Sequence, residues 1–260
     1  MIIIGEKINA TRKAIAAALE AQDADRIIKT ARQQAEAGAH YIDVNGGSPR
    51  PGQEARNMAW LMELVQAHTD LPVAVDSADP EAVRVGLGMA TKKPILNSIS
   101  LEKDRLEAML PVLADADCMV VALLMNDGGT PCGVDDRLQS AGELVEKLLA
   151  CGRKIDEIIV DPCFLPVSAD PASGRNVIDA IAAIRKQWPE IHIGGGLSNI
   201  SYGLPQRKHV NRAALAQCIF AGMDVAIVDP CDEDTMAAIL AAEALAGRDE
   251  FCMNYVMALR

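Results

Sequence analysis

The sequence predicts a single (β/α)8 TIM barrel across residues 1–260. Eight short apolar runs alternate strictly with eight amphipathic stretches, the order that builds a parallel sheet. The apolar runs are continuous rather than alternating, as strands covered on both faces are. The 260-residue length also suits eight βα units. A doubly wound sheet would more often carry G-x-G-x-x-G after its first strand, where this chain has Glu6-Lys7-Ile8-Asn9.

The first strand is expected over Ile2–Gly5, with a helix over 24–37 stopped at Gly38. Tyr41–Val44 leads into a helix over 53–68, where Met58, Leu61, Met62 and Val65 keep the i, i+3, i+4, i+7 period. Val73–Val75 follows, and Asp79-Pro80-Glu81 opens a helix over 80–90 with an N-cap and a proline at its first position. Ile95–Asn97 precedes a helix over 103–114. Cys118–Leu124 precedes one over 135–150, where Ala141, Leu144, Val145 and Leu148 repeat the helical period. Glu157–Val160 pairs with a helix over 174–187, His192–Gly194 with one over 211–221 stopped at Gly222, and Val225–Val228 with one over 233–246. No linker or low-complexity tract interrupts this order.

Composition narrows the function. The chain is 50% hydrophobic but only 3% aromatic, so its core is aliphatic and it is poor in platforms for stacking bases. Its 25 basic and 36 acidic residues give a net charge of −11 with no basic stripe, which argues against nucleic-acid binding. No run of 18 apolar residues exists, and Met1–Lys7 is too short and too soon charged for a signal peptide. A soluble, cytoplasmic protein with no membrane contact is expected. Seven cysteines, an odd number with no C-x-x-C pair, read as free and mostly buried thiols. His40, His68, His192 and His209 are dispersed without ligand spacing, so no protein-bound metal is expected.

A barrel carries its chemistry at the C-terminal ends of its strands. Those ends read Glu6 and Asn9, Asp43 and Asn45, Asp76, Asn97, Asn126 and Asp127, Asp161, Ser198 and Asn199, and Asp229. Lys7 is the main cation among them. Carboxylates accept from N–H groups, and amides both donate and accept. Asp76, Asn97 and Asp161 therefore suit a flat, neutral heterocycle with N–H edges. A phosphate or carboxylate ligand would want arginine, lysine or a helix N-terminus. The Gly194-Gly195-Gly196 run is followed by Leu197-Ser198-Asn199 rather than a helix, which weakens its reading as a phosphate loop. Asp43 and Asn45 read equally well as a turn into Gly46-Gly47, and Asp229-Pro230 as a turn before the last helix.

The segments Ile4-Gly5-Glu6-Lys7-Ile8-Asn9, Asp43-Val44-Asn45, Val75-Asp76-Ser77, Leu96-Asn97-Ser98-Ile99-Ser100, Asp161-Pro162 and Gly196-Leu197-Ser198-Asn199-Ile200-Ser201 stand in order along nearly the whole chain. This ordered set resembles the pterin-binding barrels, and among them the methyltetrahydrofolate:corrinoid protein methyltransferases. Tyr202-Gly203-Leu204-Pro205-Gln206-Arg207 is similar to the stand-alone enzymes of methylamine and glycine betaine demethylation systems.

The resemblance implies that Asp76, Asn97 and Asp161, with Gly196 and Ser198, bind the pterin ring. It also implies that Asn199 is catalytic, hydrogen-bonding near N5 of the folate. Glu6, Asn9, Asp43, Asn45, Tyr202 and Arg207 are secondary candidates. Tyr202 stands where the acetogen relative has glutamine, so that glutamine's contact does not carry over. The implied reaction moves a methyl group between N5 of tetrahydrofolate, as 5-methyltetrahydrofolate, and the cobalt of a corrinoid (cobalamin). Because N5 is a poor leaving group, the transition state needs a proton or strong hydrogen bond there. The D-x-H-x-x-G signature of a B12-binding domain is absent, so the corrinoid is expected on a separate protein. The demethylation resemblance favours transfer from methylcorrinoid to tetrahydrofolate. Relatives are commonly homodimers, and Phe251–Leu259 is an apolar candidate contact.

Three rivals stand beside this reading. Residues 43–52 are similar to the D-x-G-G-x-S-x-R-P-G loop of dihydropteroate synthase. That enzyme's S-R-K after strand seven is replaced here by Ser198-Asn199-Ile200, which leaves a diphosphate without cations. A Schiff-base aldolase would need a strand-end lysine, and only Lys7 qualifies, since Lys92 and Lys93 precede strand four. A non-catalytic scaffold would bind folate or the corrinoid protein without turnover.

Overall fold

The computed structural model describes all residues 1–260. Eight parallel strands close into a barrel in chain order: β1 (Ile2–Asn9), β2 (Tyr41–Asn45), β3 (Val73–Asp76), β4 (Ile95–Leu101), β5 (Met119–Asn126), β6 (Ile158–Asp161), β7 (His192–Gly195) and β8 (Val225–Val228). Closure is by β8 pairing back on β1. The surrounding helices are α1 (Lys13–Ala21), α2 (Ala24–Glu36), α3 (Gln53–His68), α4 (Pro80–Met89), α5 (Lys103–Ala114), α6 (Val134–Ala150), α7 (Ser173–Gln187), α8 (Arg207–Ala221) and α9 (Glu233–Leu245). A short α10 (Met253–Ala258) follows α9. No helix is long and apolar enough to cross a membrane.

All eight expected strands and helices are present. Asp79 caps α4 as its sequence suggests, accepting from the Glu81 N–H at 3.0 Å. The differences have local causes. Helix α1 goes unread because it is short and alanine-rich, with only Ile15, Ala18 and Leu19 buried, and it is held by packing those three into the core. Strands β1, β4 and β5 run past their apolar segments to Asn9, Leu101 and Asn126, because ladder hydrogen bonds continue where the side chains turn polar. Helix α8 begins four residues early, since its exposed first residues, Arg207-Lys208-His209, show no apolar period. All seven cysteines are free, but only Cys118, Cys163 and Cys218 are buried, fewer than expected.

The core has two shells. The larger lies between sheet and helices, where Leu144, Ile181 and Ile219 meet Val120, Val160 and Ile193. A smaller one fills the barrel itself with Ile4, Ala74, Ile95, Met119, Val121, Ile159 and Val225. Between Gly5 and Ile8 the pairing of β1 with β2 shifts register. The Lys7 N–H donates to Oε1 of the fully buried Gln34 at 2.9 Å. A Cβ on Gly5 would lie 2.5 Å from that oxygen, so a larger residue would displace the Gln34 amide from this contact. The shift sends Ile8 into the helix-facing core, yet both Glu6 and Asn9 reach the barrel mouth.

Candidate active site at the barrel mouth

Strand periodicity builds the site. Ile4, Tyr41, Ala74, Ile95 and Ile159 belong to or pack against the barrel-filling cluster. Two residues further along each strand, on the same face, stand Glu6, Asp43, Asp76, Asn97 and Asp161. An apolar plug thus carries a polar layer directly above it. These five line a cavity of about 480 Å³, together with Asn9, Gly196, Ser198 and Asn199.

The layer is internally bonded. Asp76 Oδ2 accepts from Asn45 Nδ2 at 3.1 Å and Asn9 Nδ2 at 3.3 Å. Asn97 Nδ2 donates to Asp43 Oδ1 at 3.1 Å. Burial pushes Asp43 well above the usual carboxylate range, and the neighbouring Asp76 adds to the rise against the Asn97 hydrogen bond. Asp43 therefore gives up its proton less readily than an ordinary carboxyl. Burial also raises Asp76, opposed by Asn45 and the nearby Arg105 charge. Glu6 is raised by burial too, offset chiefly by Arg12.

Asp161 is held differently. Its Oδ1 accepts the Cys163 N–H at 2.9 Å, and the carboxylate also takes the Gly196 N–H. Burial still pushes it up to about 6, against those two amides and the charge of Arg137. The glycine run that ends β7 serves this packing. A Cβ on Gly195 would sit 1.9 Å from Asp161 Oδ2, and one on Gly194 would sit 1.9 Å from the Val225 carbonyl oxygen. The run is a close-approach surface rather than a phosphate cradle.

Asn199 stands on a 3-10 turn over Leu197–Ser201, exposed at the cavity wall. Arg207 braces that turn, donating to the Ser198 carbonyl at 2.5 Å and to Ser201 Oγ at 3.0 Å. Tyr202, 66% exposed, lies on the rim with the Arg207 guanidinium 6.0 Å from its ring centre. Neither Tyr202 nor Arg207 lines the cavity, and neither does Asn45. Asn45 instead orients Asp76 and accepts the Gly47 N–H at 3.0 Å.

The remaining strand-end polar residues are structural. Asn126 Oδ1 accepts the Gly128 N–H at 2.8 Å, and Asp127 accepts the Lys103 N–H at 3.0 Å, near the start of α5. Lys7, read as the main cation of the mouth, points outward and pairs with Asp229 at 3.1 Å. The cation lining the cavity is Arg12, neutralised by Glu6 at 2.6 Å. It lies on a loop three residues beyond β1, outside any strand-end pattern. Leu123 and Met125 also line the cavity. Their spacing from the inward Val121 on β5 carries the signal that would have found them. Cys163 and Phe164 complete the apolar wall beside Asp161 with no signal of their own.

A methylcorrinoid:tetrahydrofolate methyltransferase from Eubacterium limosum is 38% identical over 262 residues, covering all of this chain and 96% of that protein. A methionine synthase from Mycobacterium leprae is 27% identical over 241 residues, 88% of this chain but 20% of that longer protein. A dihydropteroate synthase from Coxiella burnetii, solved with pteroic acid, superposes with a TM-score of 0.74 at 13% identity, covering 94% of this chain and 93% of that one. At that identity the likeness concerns the barrel alone. The family described as pterin binding enzyme matches residues 5–229, from the first strand to the end of the eighth, and the chain belongs to it.

Proposed function

We propose that this chain is a methyltransferase that moves a methyl group between the cobalt of a corrinoid and N5 of tetrahydrofolate, in the direction of 5-methyltetrahydrofolate. The observation that carries this is the mouth itself. Asp76, Asn97 and Asp161 converge on one cavity whose only lining cation, Arg12, is neutralised by Glu6. Such an array accepts from the N–H edge of a neutral pterin and repels anions. The 38%-identical relative, named for methylcorrinoid and tetrahydrofolate, supports both the reaction and its direction.

Asp161 and Asp76 accept from the ring's donors, Asn97 turns its amide to the ring's mixed edge, and the apolar wall of Leu123, Met125 and Phe164 excludes water. In this reading Asn199 donates to neutral N5 or accepts from N5–H⁺, an interaction that strengthens as the N5–methyl bond forms or breaks. A corrinoid carried by a separate protein supplies the methyl group when docked over the mouth. The reading extends to a cytoplasmic homodimer, with α10 as a contact between copies. Met253 and Met257 on that helix and Phe251 and Leu259 flanking it are all exposed, Phe251 by 87%.

The direct test mixes the protein with methylcobalamin and tetrahydrofolate, and in reverse with cob(I)alamin and 5-methyltetrahydrofolate, following cobalt colour. Transfer in either direction is expected. Tight folate binding without transfer, even with a corrinoid protein added, would favour the scaffold reading. Absence of folate binding would overturn the proposal.

Folate affinity should also depend on pH. Asp161 must be ionised to accept from the ring, and its carboxyl is pushed up to about 6. Below that pH the free protein holds the proton and binding must expel it. Calorimetric affinity should therefore be flat above pH 7 and weaken by up to about tenfold per unit below 6. An affinity unchanged down to pH 5 would remove Asp161 as the ionised acceptor.

A further inference from the structure

Arg137, on α6, is fully buried and faces no carboxylate at ion-pair distance. Its guanidinium donates instead to backbone carbonyls: Nε to Pro162 at 2.7 Å, Nη2 to Cys163 at 3.1 Å and Nη1 to Gly133 at 3.0 Å. Pro162 and Cys163 are the two residues after Asp161. Cys163 holds a φ of +62°, the left-handed region that a non-glycine residue rarely occupies. In that conformation its N–H reaches Asp161 Oδ1 at 2.9 Å. Burying a guanidinium without a counter-ion is costly, and a strained loop persists only where its surroundings over-determine it.

Arg105, on α5, repeats the arrangement on the other side of the barrel. Its Nη2 donates to the carbonyls of Ser77 at 2.7 Å and Ser98 at 2.5 Å, and its Nη1 to that of Ala78 at 2.5 Å. Ser77 follows Asp76, and Ser98 follows Asn97. Each of the three pterin acceptors is therefore followed directly by a carbonyl that one of two arginines grips. Both arginines come from the helix after the strand they serve or the one beside it, and neither lines the cavity.

We propose that Arg137 and Arg105 are positioning residues, which aim Asp161, Asp76 and Asn97 by gripping the backbone behind them and lend the two aspartates positive charge from outside the cavity. This rests on the mouth being a pterin site. The titratable groups facing Asp161 are Arg137 and the Cys163 thiol, which burial pushes up to about 11 and so keeps neutral. Those facing Asp76 are Arg105, Asp43 and Glu54, beside the neutral amides of Asn45 and Asn9. The two arginines are thus the cations that hold these carboxylates down against burial.

The test compares Arg137→Met, Arg137→Lys and Arg105→Met with the unaltered chain. Carbon-13 NMR titration of the aspartate carboxyls needs no ligand, and calorimetry with 5-methyltetrahydrofolate reads the site. In Arg137→Met, Asp161 should titrate at higher pH, and affinity at pH 7 should fall at least about tenfold. Arg137→Lys should keep the titration near its original position yet still bind weakly, because one ammonium cannot span both carbonyls. Arg105→Met should raise the titration of Asp76 and leave that of Asp161 in place. A folded Arg137→Met or Arg105→Met protein that titrates and binds like the unaltered chain would overturn the proposal. If Arg137→Met does not fold, Arg137→Lys and the less buried Arg105 carry the same test. Shifted titrations in a chain that never bound the folate would overturn the pterin reading alone and uphold the arginines as the groups that set the mouth.

Discussion

Replacing Asn199 with alanine is expected to lower the rate of methyl transfer about 100- to 1000-fold, the usual cost of deleting one preorganised transition-state hydrogen bond. Folate affinity should change by no more than about threefold, because the proposed role has Asn199 meet the ring near N5 only and leaves the acceptors deeper in the barrel in place. The structure supports this split. Asn199 stands exposed on its 3-10 turn, while Asp76, Asn97 and Asp161 sit lower, on the strands themselves. No histidine lies on that turn to take over the proton work. Stopped-flow transfer rates combined with calorimetry separate the two quantities. A fall in affinity proportional to the fall in rate would make Asn199 a binding residue and remove its catalytic role.

Gly195→Ala should be nearly as severe, for a steric reason. The new methyl would lie 1.9 Å from Asp161 Oδ2 and 2.2 Å from its Cγ. Asp161 is short and held by two backbone amides, so it cannot yield as the tip of a flexible side chain would. Overpacking of this kind costs about 1–3 kcal/mol of stability, which denaturant unfolding will report. The larger effect is on binding. A displaced Asp161 no longer points at the ring, and affinity for 5-methyltetrahydrofolate should fall by about 100-fold or more. Gly88→Ala, where nothing lies within 4 Å of the added Cβ, is a suitable control. If Gly195→Ala bound folate normally, Asp161 would not be a ring acceptor.

Much of the site was legible because strand ends announce themselves. Asp76, Asn97 and Asp161 each follow an apolar run directly, and a parallel barrel brings all such ends to one rim. Cations were harder to read. Lys7 follows a strand run as visibly as Glu6 does, but the register shift and strand alternation turn it outward to Asp229. Arg12 lies beyond the strand, and only its pairing with Glu6 brings it to the cavity. Arg105 and Arg137 look like ordinary helix residues, and nothing in their neighbours marks them as the grips behind three acceptors. The sequence argued against a phosphate loop in the glycine run that ends β7 but gave no reason for the run, since the contact that requires Gly195 comes from a residue 34 positions away.

Sequence by itself determined the barrel, the order of its strands and the polar residues crowning them, because those follow from local periodicity and from one architecture's rule about strand ends. Tertiary structure alone decided which of those residues face the cavity, which carboxyl is driven toward neutrality and which cations stand behind the wall. Those depend on burial, on register and on contacts between segments far apart in the chain. Asp43 shows the division. Its place at a strand end was readable, but its reading was even between turn and site until Asn97, Asp76 and complete burial were brought around it.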